Sequence, residues 1–245
     1  MGPLSHKWLY QLYPLSVTMA CMDMPRLQTP PPPASLANLG PLAQLRAGRM
    51  PERLLRLGIG LWLYGLSVAL MIRGAIGASP WDVFHQGMAL HVPISFGVVM
   101  ILVSVAVLLA WIPLRQMPGL GTLANTLLIG PFADLNLALI ATPESLVLRV
   151  VFMLAGVLVC AFATGLYIGA QLGPGPRDGL MTGLARRTGR SIRLVRTLIE
   201  ISVLLAGVLL GGVFGIGTIV FALGVGPVTQ FFLRRLVVRL EGVPG

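Results

Sequence analysis

Two stretches of the chain share one pattern. GASPWDVFHQGMA at residues 77–89 and GPGPRDGLMTGLA at residues 173–185 place Gly, Pro, Asp, Gly and Ala at the same positions. The stretches start 96 positions apart (77 and 173), and the correspondence continues without a gap. Chance matches between apolar residues do not align two Pro-x-Asp motifs at one offset, so the sequence predicts an internal duplication. Further matching pairs are Ser95 with Ser191, VLLA at 107–110 with VLLA at 203–206, and Gly130-Pro131 with Gly226-Pro227.

The composition assigns the chain to the membrane. Of its 245 residues, 56% are hydrophobic and 11% are charged, with a mean hydropathy of +0.85. A water-soluble domain carries about 25% charged residues. Apolar runs of about 20 residues recur, the length at which a helix crosses the hydrocarbon core. We therefore expect an all-α membrane protein.

Six apolar segments have the length of a transmembrane helix. They divide into two units of three spans, residues 51–142 and 143–236, each with a short polar helix after its first span. A proline-rich tail at 1–50 is expected to be disordered, with Met50 as an alternative start, and 237–245 forms a short carboxyl tail. The predicted spans are 54–72, 94–112, 120–141, 147–170, 194–213 and 215–233.

Basic residues set the expected orientation. Arginines cluster before the first span, between the fourth and fifth spans, and after the sixth, so the positive-inside rule places these segments and both termini in the cytoplasm. Because each unit has an odd number of spans, the second unit enters the membrane from the opposite side. The prediction is an inverted-topology repeat in which 77–89 faces outside and 173–185 faces the cytoplasm.

Each polar motif has the signals of a helix start. Ser79 is a helix cap, Pro80 suits the first helical position, and Asp82 follows three residues after the cap. In the second copy Gly175 takes the cap position before Pro176 and Asp178. We expect short helices at 80–91 and 176–187. Asp82 and Asp178 are candidates for gates or ion sites, or they simply cap their helices at the positive dipole end.

The Gly-Pro pairs lie near the middle of the third and sixth spans. Proline removes a backbone donor and frees the carbonyl four residues earlier, here at Leu127 and Leu223. Matching Gly/Pro interruptions in two halves are a sequence indicator of a transport site, although a plain kink is the alternative. The candidate site is therefore Gly130, Pro131, Gly226 and Pro227. Asp134 is added as an ionisable group near the end of a span, where contact with headgroups is equally compatible.

The net charge of +10 does not indicate nucleic-acid binding, because the charges flank spans. Anionic lipids are the expected partners of the loop that contains Arg186, Arg187, Arg190 and Arg193. The sequence has no metal-ligand spacing and no nucleophile–base pattern, so we expect neither a metal nor another cofactor, and no enzymatic activity. His85 is a candidate for a pH-sensitive outer gate. A homodimer is compatible with six spans.

The order of these motifs resembles the bacterial YczE/YitT group of integral membrane proteins. The likeness rests on GASPWDVFHQGMA followed by GLGTLANTLLIGPFAD, and on GPGPRDGLMTGLARRTGRS followed by GIGTIVFALGVGP. It covers residues 55–235 and implies a multi-span bacterial inner-membrane protein. It implies no substrate.

Two functions are compatible with these observations. One is a small-solute or ion transporter or channel with its site between the two units. The other is a non-transporting membrane partner that stabilises or regulates another membrane complex through its arginine-rich loop.

Overall fold

The computed structural model describes residues 40–240, and in this range the regular structure is helical throughout. Residues 1–39 of the predicted tail at 1–50, and the end at 241–245, lie outside the described residues. The helices are α1 (Pro41–Arg46), α2 (Met50–Gly74), α3 (Pro80–Ala89), α4 (Phe96–Leu114), α5 (Leu120–Leu139), α6 (Leu146–Gly169), α7 (Pro176–Thr188), α8 (Ile192–Leu209) and α9 (Ile216–Leu236).

Five of these helices are long and apolar enough to cross a membrane: α2, α4, α5, α6 and α9. The predicted fifth span corresponds to α8, which differs from the others. It has 18 residues and carries Arg193, Arg196 and Glu200 in its first half. At 1.5 Å per residue α8 is about 27 Å long, slightly less than the hydrocarbon core of about 30 Å.

The predicted starts of the two short helices are confirmed. The Ser79 hydroxyl accepts a hydrogen bond from the Asp82 amide at 3.2 Å, and Gly175 is the cap of α7. Before each helix the chain turns at a glycine with positive φ, +118° at Gly77 and +121° at Gly173. Such a φ is strained for any residue with a Cβ, which explains why both copies have glycine here.

Helices α2 and α6 form the centre of the bundle, with α5 packed on α2 and α9 packed on α6. The central contact depends on two glycines that occupy matching places. A Cβ on Gly60 would lie 2.9 Å from the backbone nitrogen of Tyr167, and one on Gly156 would lie 3.1 Å from the Ser67 carbonyl oxygen. Small residues at these places bring the backbones together, which is how helices pack within a membrane.

The short helix of each half packs against a long helix of the other half. Helix α3 packs against α8, and α7 packs against α4. The backbone connections correspond at the same offset: the Gly121 amide donates to the Leu172 carbonyl at 2.7 Å, and the Gly217 amide donates to the Ile76 carbonyl at 2.8 Å. Each loop before a short helix is thereby joined to a long helix of the other half.

The structured region begins earlier than the predicted boundary at residue 51. Residues 40–49 form α1 and a turn. They pack near the buried Arg53, whose guanidinium donates to the carbonyls of Gln44 at 2.6 Å, Ala170 at 2.9 Å and Gln171 at 2.9 Å. Arg53 thus satisfies carbonyls at the end of α6, which have no partner in the helix itself.

Candidate functional site

A cavity of about 320 Å³ lies between the two polar motifs. It is lined by the start of α3 at Ser79, Pro80 and Trp81, and by the start of α7 at 175–178. Gly130 of α5 and Gly226 of α9 also line it. The structure therefore brings together five of the predicted site residues: Pro80, Gly130, Pro176, Asp178 and Gly226.

The lining contains many pairs of residues that correspond at the 96-residue offset. Besides the starts of α3 and α7 and the two glycines, it includes Tyr64 with Cys160 and Ile129 with Val225. A cavity lined by both members of such pairs lies where the two halves meet. Sites between matching halves are the usual location of substrate in transporters built from repeats.

Arg177 contacts its own counterpart, Trp81, across the cavity. The guanidinium carbon lies 4.8 Å from the centroid of the indole ring, within the range of a cation–π interaction. Arg177 makes no ion pair within 4.0 Å with any residue in the range 40–240. Trp81 is 6% exposed, and its indole Nε1 is buried without a hydrogen-bond partner in the same range. Two residues of the lining therefore have donor groups that other described side chains do not use.

The acidic groups that line the cavity have partners. The Tyr167 hydroxyl donates to the Asp178 carboxylate at 3.3 Å, and Arg196 pairs with Glu200 at 2.9 Å. The start of α7 is fixed in addition by Trp111, whose indole Nε1 donates to the Pro176 carbonyl at 2.9 Å. The side chain of Trp111 lies against Gly179, where only a residue without a side chain fits.

Asp82 lies behind the cavity wall and does not line it. Its carboxylate accepts a hydrogen bond from the Ser79 hydroxyl and lies 3.6 Å from Nδ1 of His85. Both Asp82 and His85 are buried, and the imidazole is surrounded by the rings of Trp81, Phe84 and Phe96. The structure thus places Asp82 in a buried cluster at the base of α3, in contact with its cap.

Asp134 links α4 to α5 along the line where the two helices meet, which we call the α4–α5 seam. Its carboxylate accepts from the Gly97 amide at 2.7 Å and from the Ser95 hydroxyl at 2.5 Å. Gly97 and Gly130 meet backbone to backbone, so neither position has space for a Cβ. The charge and the close glycine contact together hold the amino-terminal part of α4 against α5.

The corresponding seam between α8 and α9 is different. The counterparts of Gly97 and Asp134 are Arg193 and Gln230, which both line the cavity. A Cβ on Gly226 would meet no atom of another helix within 4 Å in the described part of the chain. Because the lining extends to the exposed Arg193 and Arg196, the mouth of the cavity lies between α8 and α9. One seam is therefore closed and its counterpart is open.

The two prolines of the predicted site lie on the outside of the bundle. Pro131 and Pro227 are exposed and do not line the cavity, and the same holds for Leu127 and Leu223, whose carbonyls were expected to form the site. Both helices continue through the proline. In each Gly-Pro pair the glycine reaches the cavity and the proline faces away, because adjacent residues point about 100° apart on a helix.

The basic loop lies on the surface at the mouth of the cavity. Arg186, Arg187, Arg190 and Arg193 are exposed, and Arg187 donates to the Pro113 carbonyl at 2.6 Å. His91 contacts the Leu210 carbonyl at 3.1 Å. Within residues 40–240 no cluster of His, Cys, Asp or Glu has the geometry to hold a metal ion.

Sequence reasoning missed several residues of the cavity: Tyr64, Trp81, Cys160, Tyr167 and Arg177. One signal was present, because Trp81 and Arg177 are aligned by the repeat directly after the two prolines. The alignment predicts a contact between them only if equivalent residues of the two halves lie near the symmetry axis that relates the halves.

The chain is similar to known bacterial proteins over most of its length. Residues 51–234 match the model of a family of unknown function, DUF6198. An uncharacterized protein of Haemophilus influenzae is 43% identical over 184 residues, which cover 75% of this chain and 84% of the relative. The uncharacterized membrane protein YczE of Bacillus subtilis is 33% identical over 185 residues, 74% of this chain and 86% of the relative. No solved structure matches the chain significantly. The predicted resemblance to YczE-type membrane proteins is thereby confirmed.

Proposed function

The chain belongs to the DUF6198 family, and we propose that it is a small-solute transporter whose binding site is the cavity between its two halves. The membrane setting is supported by five apolar helices and by the membrane protein YczE among its relatives. The observation that carries the proposal is the difference between the two seams. The α4–α5 seam is closed by Asp134 and two glycines, whereas the matching α8–α9 seam is open.

The proposal includes six spans in two units of opposite orientation. Helix α8 is the fifth of these six spans, and it is the counterpart of α4 in the repeat. The inverted arrangement is supported by the exchange of short helices between halves and by matching contacts such as Gly121 with Leu172 and Gly217 with Ile76. Two units related by an axis in the membrane plane place their equivalent seams on opposite faces.

Transport then requires that the two seams exchange their open and closed states. The positive-inside rule places Arg193 and the α8–α9 mouth at the cytoplasm, so the structure corresponds to a state open to the inside. If α8 closed on α9 as α4 closes on α5, and α4 moved away from α5, the same cavity would open outside. This is alternating access around a fixed site. We place the protein in the bacterial inner membrane with both termini in the cytoplasm.

Reconstituted vesicles provide the test. The purified full chain is incorporated into liposomes, and uptake is measured for a panel of small anions, cations and neutral solutes. Ser104 lines the cavity, and Ser202 is exposed on α8, so S104W fills the site while S202W is its matched control. We expect at least one solute to enter with wild type and S202W but not with S104W. The absence of flux across the whole panel, or equal flux with S104W, contradicts the proposal.

A second function is favoured by the exposed arginines at 186–193, none of which forms an ion pair within the described range. In this case the loop docks anionic lipid or an acidic partner, and the protein stabilises or regulates another membrane complex. Purification from native membranes with the wild-type loop and with all four arginines changed to glutamine distinguishes this function. A stoichiometric partner lost only from the changed protein supports it, and the same set of co-purifying proteins from both counts against it.

A further inference from the structure

We infer that the cavity binds a small organic carboxylate, with Arg177 as the residue that holds the carboxylate group. This inference rests on the proposed transport function and names its class of substrate. The relevant observations are the charges that face the cavity, the donors that have no partner, and the apolar part of the lining.

The charges facing the cavity leave an excess of positive groups. Glu200 is paired with Arg196 at 2.9 Å, and Asp178 accepts from the Tyr167 hydroxyl at 3.3 Å. Arg177 and Arg193 both line the cavity, and neither makes an ion pair within 4.0 Å in the range 40–240. A cationic solute would meet two guanidinium groups without an ion pair and one such carboxylate, Asp178, which accepts from the Tyr167 hydroxyl. An anion has the complementary charge.

The geometry at Arg177 suits a planar anion. The guanidinium carbon lies 4.8 Å from the centroid of the Trp81 ring, and its N–H groups make no hydrogen bond or ion pair with the described residues, so they are available to a ligand. Such a fork binds a carboxylate through two parallel hydrogen bonds. The Trp81 Nε1–H is a further donor that is buried without a partner in the described chain. Buried donors of this kind are costly unless something accepts from them.

Asp82 provides the countercharge that a cationic side chain needs at this depth. It is 1% exposed, is held by the Ser79 hydroxyl, and lies too far from Arg177 for an ion pair. It therefore lowers the cost of keeping Arg177 charged without occupying its donors.

The apolar part of the lining favours an organic carboxylate over an inorganic anion. Met100, Ile129, Phe221 and Val225 form an apolar wall in the same cavity as Arg177. Bulky apolar side chains offer an inorganic oxyanion no hydrogen bonds. They suit the carbon skeleton of an acid whose carboxylate is bound at Arg177. A volume of about 320 Å³ lies at the lower end of the range for small-molecule sites.

Equilibrium binding tests the inference on the purified full chain in nanodiscs. The probes are radiolabelled acetate, benzoate and glutarate, each paired with its neutral amide. We expect saturable binding of at least one acid and none of its amide. R177Q should weaken that binding at least tenfold. R190Q removes an exposed arginine that does not line the cavity, and its affinity should stay within twofold of wild type.

Two further variants keep the test decisive if R177Q fails to fold. R177K retains the charge but not the fork, and W81F retains an aromatic face but not the Nε1–H, so each should bind several-fold more weakly than wild type. Binding of none of the three acids, equal binding of acid and amide, or wild-type affinity in both R177K and W81F overturns the inference. Carboxylate binding without flux overturns the transport proposal but supports the carboxylate site. Flux of cations or neutral solutes without carboxylate binding supports the transport proposal but overturns the carboxylate site.

Discussion

Replacing Gly130 or Gly226 with alanine adds one methyl group at equivalent places and so tests whether the two seams differ. The two glycines are counterparts in the repeat, and both line the cavity. A Cβ on Gly130 would collide with the backbone of Gly97 and would lie 3.1 Å from Cγ1 of Ile101. A Cβ on Gly226 would meet no atom of another helix within 4 Å among residues 40–240. The same substitution therefore has different consequences in the two halves.

The magnitude follows from which atoms must move. The obstacle at Gly130 is backbone, so α4 itself has to shift, and overpacking of this kind costs about 1–3 kcal/mol. We expect the upper end of that range. For a domain of this size, about 3 kcal/mol lowers the melting temperature by about 6–12 °C. G226A should change the unfolding free energy by less than about 0.5 kcal/mol, as for a site without close contacts.

The assay is thermal unfolding of both variants in the same detergent, followed by flux in liposomes. G226A should unfold like wild type and still lose transport, because the added methyl group keeps α8 from closing on α9 as α4 closes on α5. Equal stability of G130A and G226A would refute the asymmetry of the seams. Normal flux in G226A would refute the exchange of seams, whatever the stability.

Two further predictions concern charged side chains that hold helices. R53Q removes a buried guanidinium that donates to the Gln44, Ala170 and Gln171 carbonyls, so we expect a loss of about 3 kcal/mol in unfolding free energy, measured by denaturant titration. Wild-type stability of R53Q would contradict this role, and R56Q is the partly exposed control. D134A removes the acceptor for the Gly97 amide and the Ser95 hydroxyl, so the α4–α5 seam should open more often. Ile101 lies in this seam next to Gly130 and is partly buried. In a background without native cysteines, maleimide should label I101C several-fold faster with D134A than without it, and an unchanged labelling rate would count against Asp134 as the group that holds the seam closed.

The sequence was sufficient for the helices and their starts because these depend on local signals. Ser79, Gly175 and the two prolines define where α3 and α7 begin, and the apolar runs define the long helices. The repeat offset likewise paired Gly130 with Gly226, which both line the cavity. These features need only neighbouring residues or one comparison of the chain with itself.

Which face of each long helix points into the protein could not be predicted in the same way. Lipid and protein core are both apolar, so the pattern of α5 does not distinguish the inward Gly130 from the exposed Pro131. The functions of Arg53 and Asp134 depend on partners about 117 and 37 positions away in the chain. Arg177 was missed for a related reason, since an arginine beside a basic loop resembles the other surface arginines until its contact with Trp81 is known.

The opposite orientation of the two halves is the basis of the whole account, and Val92 and Thr188 test it most directly. They are exposed counterparts that follow α3 and end α7, 96 positions apart (92 and 188). With Cys21 and Cys160 changed to alanine, V92C and T188C are each treated with a membrane-impermeant maleimide. We expect labelling of V92C in intact cells and of T188C only after the membrane is opened. Labelling of both from the same side would contradict the inverted arrangement, and with it the exchange of seams.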